Sequence, residues 1–80
     1  MPVACRAVAI GASAGGIHAL QTLLSALPAD FVVPILVVLH LDRRQPSLLA
    51  VVLRPRTPLV VKPAEHDEPL LGGTVYVGVP

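Results

Sequence analysis

The chain has 80 residues, 54% of them apolar and 14% charged, with a formal net charge of +1, which bounds it to one domain or part of one. A mean hydropathy of +0.74 excludes intrinsic disorder, and a near-neutral balance with one Tyr, one Phe and no Trp excludes a nucleic-acid surface built on a basic stripe and stacking aromatics. The single cysteine, Cys5, cannot close an internal disulfide and reads as a small buried apolar residue in a reducing compartment, by default the cytoplasm.

Residues 3–10 contain the apolar stretch Ala7-Val8-Ala9-Ile10 ahead of a glycine, the pattern of a strand covered on both sides. A turn follows over residues 11–16. From residue 17 to 27, Ile17, Leu20, Leu24 and Leu27 recur at helical spacing, Ala19, Leu23 and Ala26 widen the stripe, and Pro28 stops it. Residues 31–40 are rich in Val, Ile and Leu, with Pro34 near the start and His40 at the carboxyl end, and read as a second buried strand. Pro46 suits a helix's first turn, and Leu48, Leu49, Val52 and Leu53 continue the helix until Arg54 and Pro55. A third strand is expected over residues 57–62, a polar, glycine-containing loop over 65–73, and a short fourth strand over Thr74-Val75-Tyr76-Val77.

That order predicts an α/β fold, a doubly wound and mostly parallel sheet with helices on both faces, four strands and two helices in all. Ordering 80 residues costs roughly 120 kcal/mol at about 1.5 kcal/mol each, and so short a chain buries only about 60% of its unfolded surface. Strands that read as buried on both faces then imply an incomplete domain, open where later strands should join. The most apolar run, residues 31–41, is interrupted by Pro34 and followed by Asp42, and it falls well short of the roughly 20 residues a membrane span needs. No membrane insertion is expected. Nor does the chain open with a basic start and a long apolar run, although Ala12-Ser13-Ala14 superficially resembles a signal cleavage site.

The most informative stretch is Gly11-Ala12-Ser13-Ala14-Gly15-Gly16. A dinucleotide fingerprint needs glycine where Ser13 stands, and a Walker loop needs Lys then Ser or Thr where Ile17-His18 follow. What remains is Gly-x-Ser-x-Gly, a nucleophile turn that presents a serine hydroxyl above the sheet. Unpaired N–H groups at a helix start stabilise an oxyanion, and the Ala14 N–H is the expected donor. A serine here also serves as a plain helix cap, and the five-residue pattern alone does not separate the two roles.

His40 favours the nucleophile. Serine needs a base to take its proton, and His40 falls at the carboxyl end of the next parallel strand, where catalytic groups of open α/β sheets gather. The alternative is a structural histidine closing an apolar run. His18 reads as solvent-facing, His66 as part of a polar loop, and Arg43 and Arg44 as a solvated loop that could steer an acidic surface. No cluster has metal-ligand spacing, so no metal is expected. A triad needs a third, orienting carboxylate, and none of Asp30, Asp42, Asp67, Glu65 and Glu68 has an obvious claim to that role.

Taken together, Ile10 with the Gly11-to-Gly16 turn, His40-Leu41-Asp42, and Pro63-Ala64-Glu65 leading into Thr74-Val75-Tyr76-Val77 resemble the opening of the catalytic domain of chemotaxis protein-glutamate methylesterases of the CheB type. The resemblance covers nearly the whole chain and roughly the first half of that domain, so residues 1–80 would be its amino-terminal portion. It implies hydrolysis of glutamate γ-methyl esters on chemoreceptors with release of methanol, and glutamine deamidation in some members. Ser13 would be the nucleophile and His40 the general base, with no cofactor, a methyl-accepting chemoreceptor or similar methylated signalling protein as partner, and the orienting aspartate beyond residue 80. As an isolated segment it would be weakly active or inactive. The residue after the serine, often threonine in the family, is Ala14 here. The usual Asp-Gly before the fourth strand is His66-Asp67, and the later Pro-Gly is Gly72-Gly73. Many relatives carry a phosphorylatable receiver domain in front, and none is expected within this chain. Two rivals remain: a phosphate or nucleotide-binding module cradling an anion on residues 11–16, and a non-catalytic truncated remnant with an open sheet edge.

Overall fold

A computed structural model describes residues 7–39 and 46–78. Cys5, His40, Asp42, Arg43 and Arg44 lie outside the described residues. Four strands, β1 (Val8–Ala12), β2 (Ile35–Leu39), β3 (Val60–Pro63) and β4 (Thr74–Gly78), form one sheet in the order β1-β2-β4-β3. Every neighbouring pair is parallel. Two helices, α1 (Ile17–Ser25) and α2 (Pro46–Leu53), fill the first two crossovers, each adjoining a short 3-10 turn, Ala14–Gly16 before α1 and Arg54–Arg56 after α2. The expected α/β class, parallel sheet, strand count and helix count are all present.

Prolines set two of the strand starts. Pro34 has no N–H to give a ladder, so β2 begins one residue later, at Ile35, rather than at Phe31. Pro58 likewise holds off β3 until Val60. The Thr57 hydroxyl donates to Leu24 O at 2.8 Å and accepts from Leu59 N at 3.2 Å, tying the entry of β3 to the end of α1.

The core follows from register. Val8 pairs with Ile35 and Ile10 with Val37, Ile35 with Val75 and Val37 with Val77, and Val61 with Val75. These side chains share one face because successive residues of a strand alternate. Leu20 and Leu24 of α1 and Ala50 and Leu53 of α2 bury against that same face. Two crossovers of one hand, both advancing from β1 toward β3, place their helices on the same side. The step from β3 back to β4 reverses direction, and its connection crosses the opposite face without forming a helix. There Leu71 N donates to the Tyr76 hydroxyl at 2.8 Å, which donates to Pro69 O at 3.2 Å.

Helices on both faces are therefore not seen among the described residues, and the opposite face is covered only over β4, where Thr74–Val77 are all buried. Elsewhere the expected two-sided burial gives way to alternation. In β1, Ala9 and Gly11 are exposed while Val8, Ile10 and Ala12 are half-buried, and Val38 of β2 is exposed beside them. The apolar composition that suggested full burial is present, but no described element lies over that side.

Candidate functional site

β1 and β2 end level with one another, since Ala12 pairs with Leu39 at the last step of their register. Ser13 is the residue after Ala12, at the carboxyl rim of the sheet, and it is exposed. His40 is the residue after Leu39 and lies outside the described residues. Neighbouring parallel strands run about 4.8 Å apart, so these two positions follow a matched pair of strand ends.

The turn after β1 is short because a 3-10 segment, Ala14–Gly16, intervenes before α1. Gly16 N donates to Ser13 O at 2.8 Å, closing that turn on the backbone oxygen of the serine. Gly16 is the N-cap of α1, which has no side-chain cap bond. The Ser13 hydroxyl makes no hydrogen bond to a described residue, and it does not cap α1. Ser13 also lacks a positive φ; among the described non-glycine residues only Asp67 has one. The turn thus presents its serine without the left-handed backbone strain that such a turn can store. Ala14 and Gly15 open the 3-10 turn, and their N–H groups have no partner within it.

The glycines divide the work in a way the pattern Gly-x-Ser-x-Gly does not announce. A Cβ on Gly16 would stand 3.0 Å from the Ala12 Cβ, so that glycine lets the 3-10 turn fold back on the end of β1. A Cβ on Gly11 or Gly15 would have no described atom within 4 Å. Of the turn's three glycines, the one with a close neighbour is the one outside the five-residue motif. The sequence signal for it was the doubled Gly15-Gly16, whose second member packs and whose first does not.

Farther along the rim, the loop after β3 is organised by charge. The Lys62 ammonium and the Glu68 carboxylate pair directly, and Lys62 sits over the Tyr76 ring, 5.8 Å from its centroid. The other Glu68 oxygen accepts from Glu65 N at 2.6 Å. The hydrogen bond from Lys62, joined by that of the Glu65 backbone, holds the Glu68 carboxyl below the usual carboxylate value; the Glu68 hydrogen bond raises Lys62 above 10.5. His18 and His66 are both exposed, as expected. Among the described residues no three His, Cys, Asp or Glu side chains converge to hold a metal, and no helix is long and apolar enough to cross a membrane.

A parallel α/β sheet with an exposed serine at its carboxyl rim, set between a strand and the turn that opens a helix, defines the class of scaffold on which α/β hydrolytic sites are built. The particular family follows from comparison: residues 8–80 match the family model for the CheB methylesterase, and the chain belongs to that family. It is 54% identical over 70 residues to protein-glutamate methylesterase/protein-glutamine glutaminase 4 of Myxococcus xanthus, covering 88% of this chain and 20% of that protein. It is 49% identical over 70 residues to a protein-glutamate methylesterase/protein-glutamine glutaminase 1 of Carboxydothermus hydrogenoformans, covering 88% of this chain and 21% of the relative. Among solved structures, the CheB methylesterase catalytic domain of Thermotoga maritima superimposes with a TM-score of 0.87 at 36% identity, covering 96% of this chain and 41% of that one. The chain thus spans about a fifth of the length of these two curated relatives and two fifths of the solved domain.

Proposed function

We propose that these residues belong to a protein-glutamate methylesterase of the CheB type, in which Ser13 is the nucleophile, His40 the general base and the Ala14 N–H an oxyanion donor. The observation that carries the reading is the family match over residues 8–80, which takes in the Ser13 turn. An exposed serine whose hydroxyl does not cap α1 supports it, as does the level register of the strands that Ser13 and His40 follow.

In this scheme the Ser13 Oγ attacks the carbonyl carbon of a glutamate γ-methyl ester while the His40 imidazole takes its proton. The carbonyl oxygen gathers negative charge beside the Ala14 N–H. Collapse of the tetrahedral intermediate breaks the bond to the methoxy oxygen, which leaves as methanol with the proton returned from His40. Water, deprotonated by the same imidazole, then attacks the acyl-serine, freeing the glutamate carboxylate and restoring Ser13. A glutamine side chain follows the same course with ammonia as the leaving group. No cofactor enters the scheme. The partner is a methyl-accepting chemoreceptor or a similar methylated signalling protein, met in the cytoplasm.

The test is methanol release from methylated chemoreceptor by the full-length protein carrying these residues. Ser13→Ala is expected to lower kcat by at least about 10³-fold, in line with loss of a serine nucleophile elsewhere. An unchanged rate overturns the assignment.

A further inference from the structure

Backbone conformation does not explain Gly16. Its φ of −86° and ψ of −3° are right-handed and open to any residue, and an alanine there would hold the turn with less loss of conformational freedom. The contact explains it: a Cβ on Gly16 would stand 3.0 Å from the Ala12 Cβ, closer than the roughly 3.5–4.0 Å at which carbon atoms rest against one another. Opening that gap by about 0.5–1 Å has two routes, and Ser13 lies on both. Ala12 is the residue before Ser13 and pairs with Leu39 at the last step of the β1–β2 register, so its retreat disturbs the strand end from which the serine departs. Gly16 is tied to the same serine by its N–H, which donates to Ser13 O at 2.8 Å, so its retreat either draws Ser13 along or opens the turn.

We propose that Gly16 is a positioning residue for the reaction, its missing side chain fixing where Ser13 stands at the rim of the sheet. The inference rests on the methylesterase reading above and adds to it a residue that touches neither the ester nor the reacting atoms and acts through Ser13 alone. Misplacement of a reacting group by about 1 Å costs about 10²-fold in rate, so a shift of about half that size costs about tenfold. The contact also names the substitution that undoes the damage. Apart from adjoining backbone, the Ala12 Cβ is the described atom that comes within 4 Å of a Cβ built on Gly16, and replacing Ala12 by glycine removes it.

The experiment measures methanol release from methylated chemoreceptor in a single turnover, with the full-length protein in saturating excess, for the parent, Gly16→Ala, Ala12→Gly and the double variant. A smaller folded fraction lowers the amount of working enzyme and leaves this rate constant unchanged, whereas a misplaced serine lowers the constant itself. Gly16→Ala is expected to lower it by at least about fivefold, and the double variant to return to within about twofold of Ala12→Gly alone, the coupling that residues in contact show. A Gly16→Ala rate constant equal to the parent's overturns the inference, and so does a fall that persists in the double variant. Ser13→Ala separates this failure from that of the methylesterase reading: the reading fails if that variant releases methanol at the parent rate, and the Gly16 inference alone fails if that variant is inactive while Gly16→Ala is unimpaired.

Discussion

Replacing Gly72 by alanine should destabilise the protein by about 2–4 kcal/mol. The added Cβ would stand 2.4 Å from Val32 O, 2.8 Å from Val32 C and 3.2 Å from Val32 Cα, all backbone atoms of the connection between α1 and β2 and none able to rotate away. Overpacking of this kind costs typically about 1–3 kcal/mol. Relief requires the two connections to part, and that strains the Gly73 N to Phe31 O bond of 2.7 Å and the Val60 N to Gly73 O bond of 3.0 Å, each worth about 1 kcal/mol net. Against this, alanine narrows the unfolded ensemble and returns about 0.4–1 kcal/mol. Urea unfolding at pH 7 is the assay: the midpoint should drop with the slope unchanged. Gly73→Ala is the companion variant, since Gly73 has φ +75° and a built Cβ 3.0 Å from Ala29 O, and it should cost about 1–2 kcal/mol from left-handed strain alone. A Gly72→Ala protein as stable as the parent would show that the Val32 segment yields freely, and the packing argument would be wrong.

Asp67 stands third in the turn from Glu65 to Glu68, where Glu68 N donates to Glu65 O at 3.4 Å, and its φ is 59°. His66 before it has no positive φ, so the turn has the φ signs of type II, which favours glycine at that place. Asp67→Gly should leave the urea midpoint level or raise it by up to about 1 kcal/mol equivalent, because the His66–Asp67 pair it removes is 95% and 86% exposed and such pairs are worth little; a clear loss of stability would contradict this. The Glu68 carboxyl is held below its ordinary value, so its contribution is full above pH 4.5 and is lost as pH falls through the lowered folded-state value. The midpoint difference between parent and Glu68→Gln should accordingly shrink between pH 6 and pH 3, and a difference that grows on acidification would reverse the assignment.

Much of this architecture was readable in advance, and the reasons differ from element to element. Leu20 and Leu24 show at helical spacing that α1 has an inward side, and both are buried. Pro46 marks the first residue of α2, and Thr74 to Val77 are apolar enough to be recognised as a strand without any partner in view. Strand order was not readable: that β4 slots between β2 and β3 depends on contacts between distant residues, which local patterning does not encode. At the site, the serine turn was legible from residue types alone, as Gly11, Ser13 and Gly15 are spaced in the motif. The packing role of Gly16 was hidden, since it depends on the distance to Ala12 rather than on any spacing along the chain.

The bond from Thr57 to the Leu24 carbonyl has a mechanical counterpart in the one from Gln21 Nε2 to Val52 O, at 3.3 Å. Together they rivet α1 to the segment running from α2 into β3, at two points and from opposite directions. The first helix grows out of the serine turn and the second follows the strand tip that leads to His40. Sliding of α1 past that segment therefore breaks both hydrogen bonds, each worth about 1 kcal/mol net.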